Sequence, residues 1–256
     1  MNKSLYQALP WLVIVGMFVL WELIVYVFSI PSFFLPPPSA VFVTLWTQLG
    51  PITEHALITL YETLGGFVLA TVIGTALGVA LGASPLVHHS TYPMLIGFNT
   101  VPKSALVPII VMWFGIGVVP AIITSFMISF FPIVVNVATG IATVEPELRD
   151  VLRSLGASKR VILWKVSIPR SLPYLFAALK VAITFAFVGA IVSEIIAANS
   201  GIGHLTAVAS AQLEPELAFA GLLVISAMGV GMYVVMERIE RRTTRWSVRG
   251  VNVVAG

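Results

Sequence analysis

The sequence predicts an all-α integral membrane protein of about six transmembrane helices, forming a single transmembrane domain over residues 1–256. Three observations predict it. Hydrophobic residues make up 58% of the chain and charged residues 10%, where a soluble domain carries roughly 25% charged residues. Mean hydropathy is +1.01, and no hydrophilic run is long enough to form a separate soluble domain. Finally, Lys and Arg are distributed with a strong side bias along the chain.

The first apolar run, from about Ala8 to Phe28, exceeds the roughly 7–15 residues of a signal-peptide core and ends in bulky residues. It reads as a retained first span. Glu22 lies inside it, and a charge there is expensive in lipid, so Glu22 is expected to point away from lipid. From about Ser29 to His55, Pro36-Pro37-Pro38 favours an extended, stiff connection.

A second span is expected over about Leu57 to Ala83. Gly66, Ala70, Gly74, Gly78 and Gly82 recur every four residues, a stripe that lets helix backbones approach closely in lipid. The adjacent His88 and His89, with no acid or Cys nearby, read as a solvated turn rather than a metal site. The apolar stretch up to about Ala142 is long enough for two spans hinged near Gly115–Pro120.

Lys103 admits two placements. A span starting near Thr100 lets its side chain snorkel to the interface; a span starting near Tyr92 leaves the ammonium at mid-depth, where it attracts an anion in the translocation pathway. A fifth span covers about Tyr174 to Ala197, with Lys180 snorkelling. Glu194, near the far end of this span, is either buried against another helix or lines the pathway vestibule. Asn199–His204 and a polar segment to Glu216 follow, then a last span over about Leu217 to Met236 and an Arg-rich tail containing Arg238, Arg241, Arg242, Arg245 and Arg249.

With six spans, Lys3, the central loop and the tail share one side. The connections near residues 29–56, 115–120 and 198–216 contain no Lys or Arg. That asymmetry places both termini in the cytoplasm.

The charged island is the loop at residues 145–173, which holds more than a third of the charged side chains. Leu148, Val151, Leu152 and Leu155 fall at i, i+3, i+4 and i+7, an apolar helix face. Pro146 suits the first turn, Gly156 suits a C-cap, and Ser158 is placed to cap a second short helix running towards Pro169. The loop reads as a docking surface. Absence of Cys excludes disulfides and thiol chemistry. No G-x-x-x-x-G-K-[ST] occurs, so the chain has no P-loop of its own. Four His, no Cys and no H-E-x-x-H argue against an intramembrane enzyme.

This loop resembles the cytoplasmic "EAA" loop of permease subunits of bacterial ABC importers. The pattern falls on Asp150-Val151-Leu152, Gly156 and Val166-Ser167-Ile168-Pro169, with Asp for Glu and Val-Leu for the Ala pair. Trp21-Glu22, Leu35–Ser39, the Gly-rich second span, Pro108 with Trp113-Phe114-Gly115, Ser193-Glu194 with Gly201-Ile202-Gly203, and Trp246 extend the likeness. As a set they are similar to the nitrate/sulfonate/taurine branch of binding-protein-dependent permeases.

The resemblance implies a type I ABC importer permease fold in the bacterial inner membrane. It implies two cytoplasmic ATPase subunits carrying ATP and Mg, a second, identical permease chain, and a periplasmic or lipid-anchored solute-binding protein. This chain itself would hold no cofactor and bind lipid rather than nucleic acid. Glu147, Leu148, Arg149, Asp150, Val151, Leu152, Arg153, Leu155, Gly156, Ala157 and Pro169 would couple to the ATPase, and Lys103 and Glu194 would belong to the pathway. The solute would be small, an organic or inorganic anion such as a sulfonate, nitrate or an aromatic acid. The alternative is an ATPase-independent secondary transporter or channel. Against it, Glu22, Glu62, Lys103, Lys180 and Glu194 are scattered, with no relay apparent from their spacing.

Overall fold

A computed structural model describes the backbone of residues 3–244 and their side chains, apart from those of residues 3–8, Pro146 and Arg149. Lys3, Arg245, Trp246 and Arg249, as side chains, lie outside the described residues. The described backbone is helical, with helices α1 (Lys3–Val27), α2 (Pro38–Thr47), α3 (Leu49–Ala83), α4 (Pro85–Thr100), α5 (Val107–Phe114), α6 (Val118–Ala142), α7 (Pro146–Ser154), α8 (Lys159–Ile162), α9 (Ile168–Ala197), α10 (Ile202–Ala211) and α11 (Pro215–Thr243).

Among the described residues, five helices are long and apolar enough to cross a membrane. A sixth span results if α4 and the segment Lys103–Phe114 count as one, bent by 80°. The expected hinge at 115–120 is present: Gly115 and Gly117 take φ +79° and +141°, conformations that Gly adopts without a steric penalty. The second break, at Val101–Pro102, was not expected. Proline disfavours helix in the residue before it, and Val101 is accordingly extended.

Other boundaries differ from the sequence reading. The connection after α1 is not extended throughout. Pro37 is extended, but Pro38 opens α2, because a first-turn proline loses no hydrogen bond. Helix α3 starts at Leu49, eight residues before the expected Leu57. His88 and His89 lie in helix α4 rather than in a turn, and His88 stacks on Tyr92 at 4.7 Å. The segment after Gly201 forms α10, and α11 begins at Pro215.

Helix α9 has no break at Pro169. Residues 163–167 form a π-helical turn, with Ile168 donating to Leu163, a register that accommodates the missing proline N–H. The resulting span runs over Lys159–Ala197, 39 residues.

The core is α3, α6 and α9. The glycine stripe of α3 makes the expected close helix contact, and its partner is α6. A Cβ added at Gly66 would lie 2.3 Å from Ser125 Cβ, at Gly78 2.7 Å from Val137 Cβ, and at Gly82 2.7 Å from Ile141 Cβ. Such contact gives dispersion and weak hydrogen bonding in a medium that offers no hydrophobic drive. Gly189 of α9 presses on Ser125 from the other side, 2.8 Å from an added Cβ to Ser125 Cα.

Candidate functional site

The loop between α6 and α9 is built as two short, well-capped helices. Pro146 starts α7 with Glu147 in its first turn and Arg153 in its last, the favourable ends for those charges. Gly156 takes φ +81°. Its N–H donates to Arg153 O and the N–H of Ala157 to Leu152 O, both at 2.9 Å. This pair of bonds is the Schellman termination, which needs the left-handed residue that glycine supplies. Ser158 Oγ then accepts from Val161 N at 3.4 Å and caps α8.

Two ion pairs brace the loop. Asp150 and Arg153 lie 3.2 Å apart along α7, and Arg170 at the base of α9 reaches Glu145 at 3.2 Å. All four side chains are well exposed, so each pair is worth only about 0–1 kcal/mol. The apolar face divides. Leu148 and Leu152 are half-buried, whereas Val151 is 56% and Leu155 77% exposed. Half of the face therefore anchors α7 and half is presented outward. Arg149 lies outside the described side chains, and Pro169 sits in the first turn of α9. An open cleft of about 370 Å³ runs under the loop. It is lined by Gly82, Ile141, Arg153, Lys159 and Arg160, among others, so the ends of α3 and α6 meet the α7–α8 loop there.

The two pathway candidates are not brought together. Lys103 sits in the turn between α4 and α5. Its ammonium donates to the backbone carbonyl of Asn99 and to Asn99 Oδ1, the latter at 3.1 Å, and stands over the Phe98 ring at 5.8 Å. It has no carboxylate partner among the described residues.

Of the two placements open for Glu194, the structure shows the buried one: it is 1% exposed and lines no open vestibule in this conformation. Its carboxylate accepts from Thr59 Oγ1 at 2.6 Å and from Gly203 N at 2.7 Å. Thr59 in turn accepts from Ile202 N at 2.8 Å, and His55 Nδ1 accepts from Gly201 N at 3.0 Å. The Gly201–Gly203 turn, with Gly201 at φ +98°, is thus held by side chains of α3 and α9. There is no room for a side chain: a Cβ on Gly201 would lie 2.1 Å from the Glu194 carboxyl carbon.

The same logic explains Glu22. Both its oxygens accept from Ser39, from the hydroxyl at 2.7 Å and from the backbone N–H at 3.0 Å, so it caps the start of α2 rather than facing lipid. Trp21-Glu22 thereby meets Leu35–Ser39, just as Ser193-Glu194 meets Gly201–Gly203.

Residues 70–245 match the family model of the binding-protein-dependent transport system inner membrane component. The chain belongs to this family. Among curated relatives, a formylaminopyrimidine transport permease of Halalkalibacterium halodurans is 28% identical over 95% of this chain and 98% of its own length. A taurine transport system permease of Escherichia coli is 29% identical over 85% of this chain and 82% of its own length. Among solved structures, an inward-facing form of the MetNI methionine ABC transporter matches with TM-score 0.66 at 19% identity. The match covers 79% of this chain and 98% of the other. The expected type I importer permease fold and the likeness to the taurine and sulfonate branch both hold. The permease reading is supported over the ATPase-independent carrier or channel.

Sequence reading missed the partner of Glu194. The signal was present: Thr59, Glu62, Thr63 and Gly66 occupy i, i+3, i+4 and i+7, continuing the glycine stripe as a polar one. All four are buried.

Proposed function

We infer that this permease subunit carries a small solute inward across the bacterial cytoplasmic membrane, driven by ATP hydrolysis on separate chains. The observation carrying this reading is the lever. A short helix ends in a glycine-locked cap and exposes Val151 and Leu155, next to a helix that runs without a break through the core. An exposed apolar edge on a short helix fits a groove, and the groove belongs to a cytoplasmic ATPase holding ATP and Mg. Two such ATPases act on two permease chains, which we take to be identical, and a solute-binding protein delivers from the opposite side. Both termini and the loop at residues 145–173 lie in the cytoplasm, on the strength of the Lys and Arg asymmetry.

Closure of the ATPases brings the two levers together and switches the side to which the pathway opens, a rigid-body change between two packings. Residues 147–153, Leu155, Gly156, Ala157 and Pro169 form the coupling element. Lys103 is the pathway cation, since Lys180 has a carboxylate partner and Lys103 has only neutral oxygens. We take the solute to be a small organic or inorganic anion, such as a sulfonate, nitrate or an aromatic acid.

Single cysteines placed from Glu145 to Arg170 test the arrangement. A reagent that cannot cross membranes should label them in inside-out vesicles and leave them untouched in intact cells. Labelling from outside would overturn the orientation and the lever with it.

A further inference from the structure

Glu62 is a fully buried acid to which the coupling and pathway roles assign nothing. It is 0% exposed, and both its carboxyl oxygens lack a hydrogen-bond donor among the described residues. It lies one helical turn from Thr59, on the face of α3 that grips Glu194, and its side chain meets the Glu194 carboxyl. Two buried carboxyls therefore lie together at the end of the bundle opposite the α7–α8 loop. None of the ion pairs among the described residues includes either one.

Among the described residues, the surroundings supply no compensating positive charge. On α3, His55 uses Nδ1 as an acceptor for Gly201 N–H, which leaves its proton on Nε2 and the ring neutral. His204 of α10 faces that ring at 6.4 Å. Neither α2 nor α6 carries a titratable side chain, Glu216 in the first turn of α11 is another acid, and Lys180 of α9 is committed to Glu240. Two ionised carboxylates in such a place repel each other and forgo hydration. With one proton between them, one carboxyl becomes a donor and the other its acceptor, as in other paired acids.

We propose that Glu62 and Glu194 share a single proton, and that this proton latches α3 to α9 and to the Gly201–Gly203 turn. The shared proton satisfies the otherwise orphaned oxygen of Glu62 and leaves Glu194 free to accept from Thr59 and Gly203. Its loss puts two like charges in contact at the point where the turn into α10 is anchored. Deprotonation therefore weakens the latch, and stability falls as pH rises.

The test uses the full chain in lipid nanodiscs, with infrared spectra and thermal unfolding recorded across pH. The wild type should show the carbonyl band of a protonated carboxylic acid at neutral pH, lost on alkalinisation together with a drop in Tm. Glu62→Gln and Glu194→Gln should each abolish the band, because one proton serves both residues, and Glu22→Gln should leave it in place. Glu62→Gln, whose amide can donate permanently, should also flatten the pH dependence of Tm. Absence of the band from the wild type at neutral pH overturns the proposal. So does its survival in Glu62→Gln, or a wild-type Tm that follows sodium or potassium concentration instead of pH.

Discussion

Lys180 Nζ lies 2.6 Å from a carboxylate oxygen of Glu240, joining α9 to the closing turns of α11. The two side chains are 23% and 19% exposed, so solvent screens the pair only in part. The sequence placed Lys180 as a snorkelling residue; its ammonium meets a fixed partner on a neighbouring helix. Lys180→Met should lower stability by about 1–3 kcal/mol, the cost of leaving a charged group without its partner. The double exchange Lys180→Glu with Glu240→Lys should recover much of the loss, as read by thermal unfolding in detergent.

Gly78 offers a packing test. A Cβ there meets Val137 Cβ at 2.7 Å and Val134 O at 2.8 Å, so α3 and α6 must separate to admit one. Gly78→Val should cost about 1–3 kcal/mol, while Gly16→Ala, with nothing within 4 Å, should leave the unfolding temperature unchanged or raise it slightly.

At Gly156 the backbone matters and the space does not: nothing lies within 4 Å of an added Cβ, but φ is +81°. A β-branched side chain in that conformation costs roughly 1–2 kcal/mol, which α7 sheds by unwinding its cap. Gly156→Val should abolish solute uptake in proteoliposomes while ATP hydrolysis by the assembled complex persists. Gly156→Asn, which tolerates the left-handed region, should be milder.

Lys103→Met should weaken uptake of an anionic solute about tenfold or more, from the roughly 1.5–3 kcal/mol of a hydrogen bond to a charged group. Transport of a neutral analogue should change little, and comparing concentration dependence for the two separates pathway attraction from folding.

How far the sequence alone reached depended on the range of the physics involved. The glycine stripe, the Gly156 cap and the Ser158 cap are local or periodic features, and each appears as read. Helix α2 was not foreseen because the proline run was read as an extended connection, whereas Pro38 stands at a position where its missing N–H is harmless. The union of α8 with α9 was missed for a related reason, since a π turn absorbs Pro169. Glu22 with Ser39, and Glu194 with Thr59, are contacts between separate helices that a single chain's spacing does not display. Even so, the paired motifs of the family resemblance turn out to be spatial neighbours.

The unbroken helix from Lys159 to Ala197 has a mechanical meaning. Its 39 residues make a rod about 58 Å long at 1.5 Å per residue, rooted beside the capped lever and ending three residues past Glu194. Pivoting such a rod by about 5° sweeps its tip through roughly 5 Å, further than any hydrogen bond can stretch. A small swing at the base is therefore enough to unfasten the turn held at the far tip, without any intermediate segment having to refold.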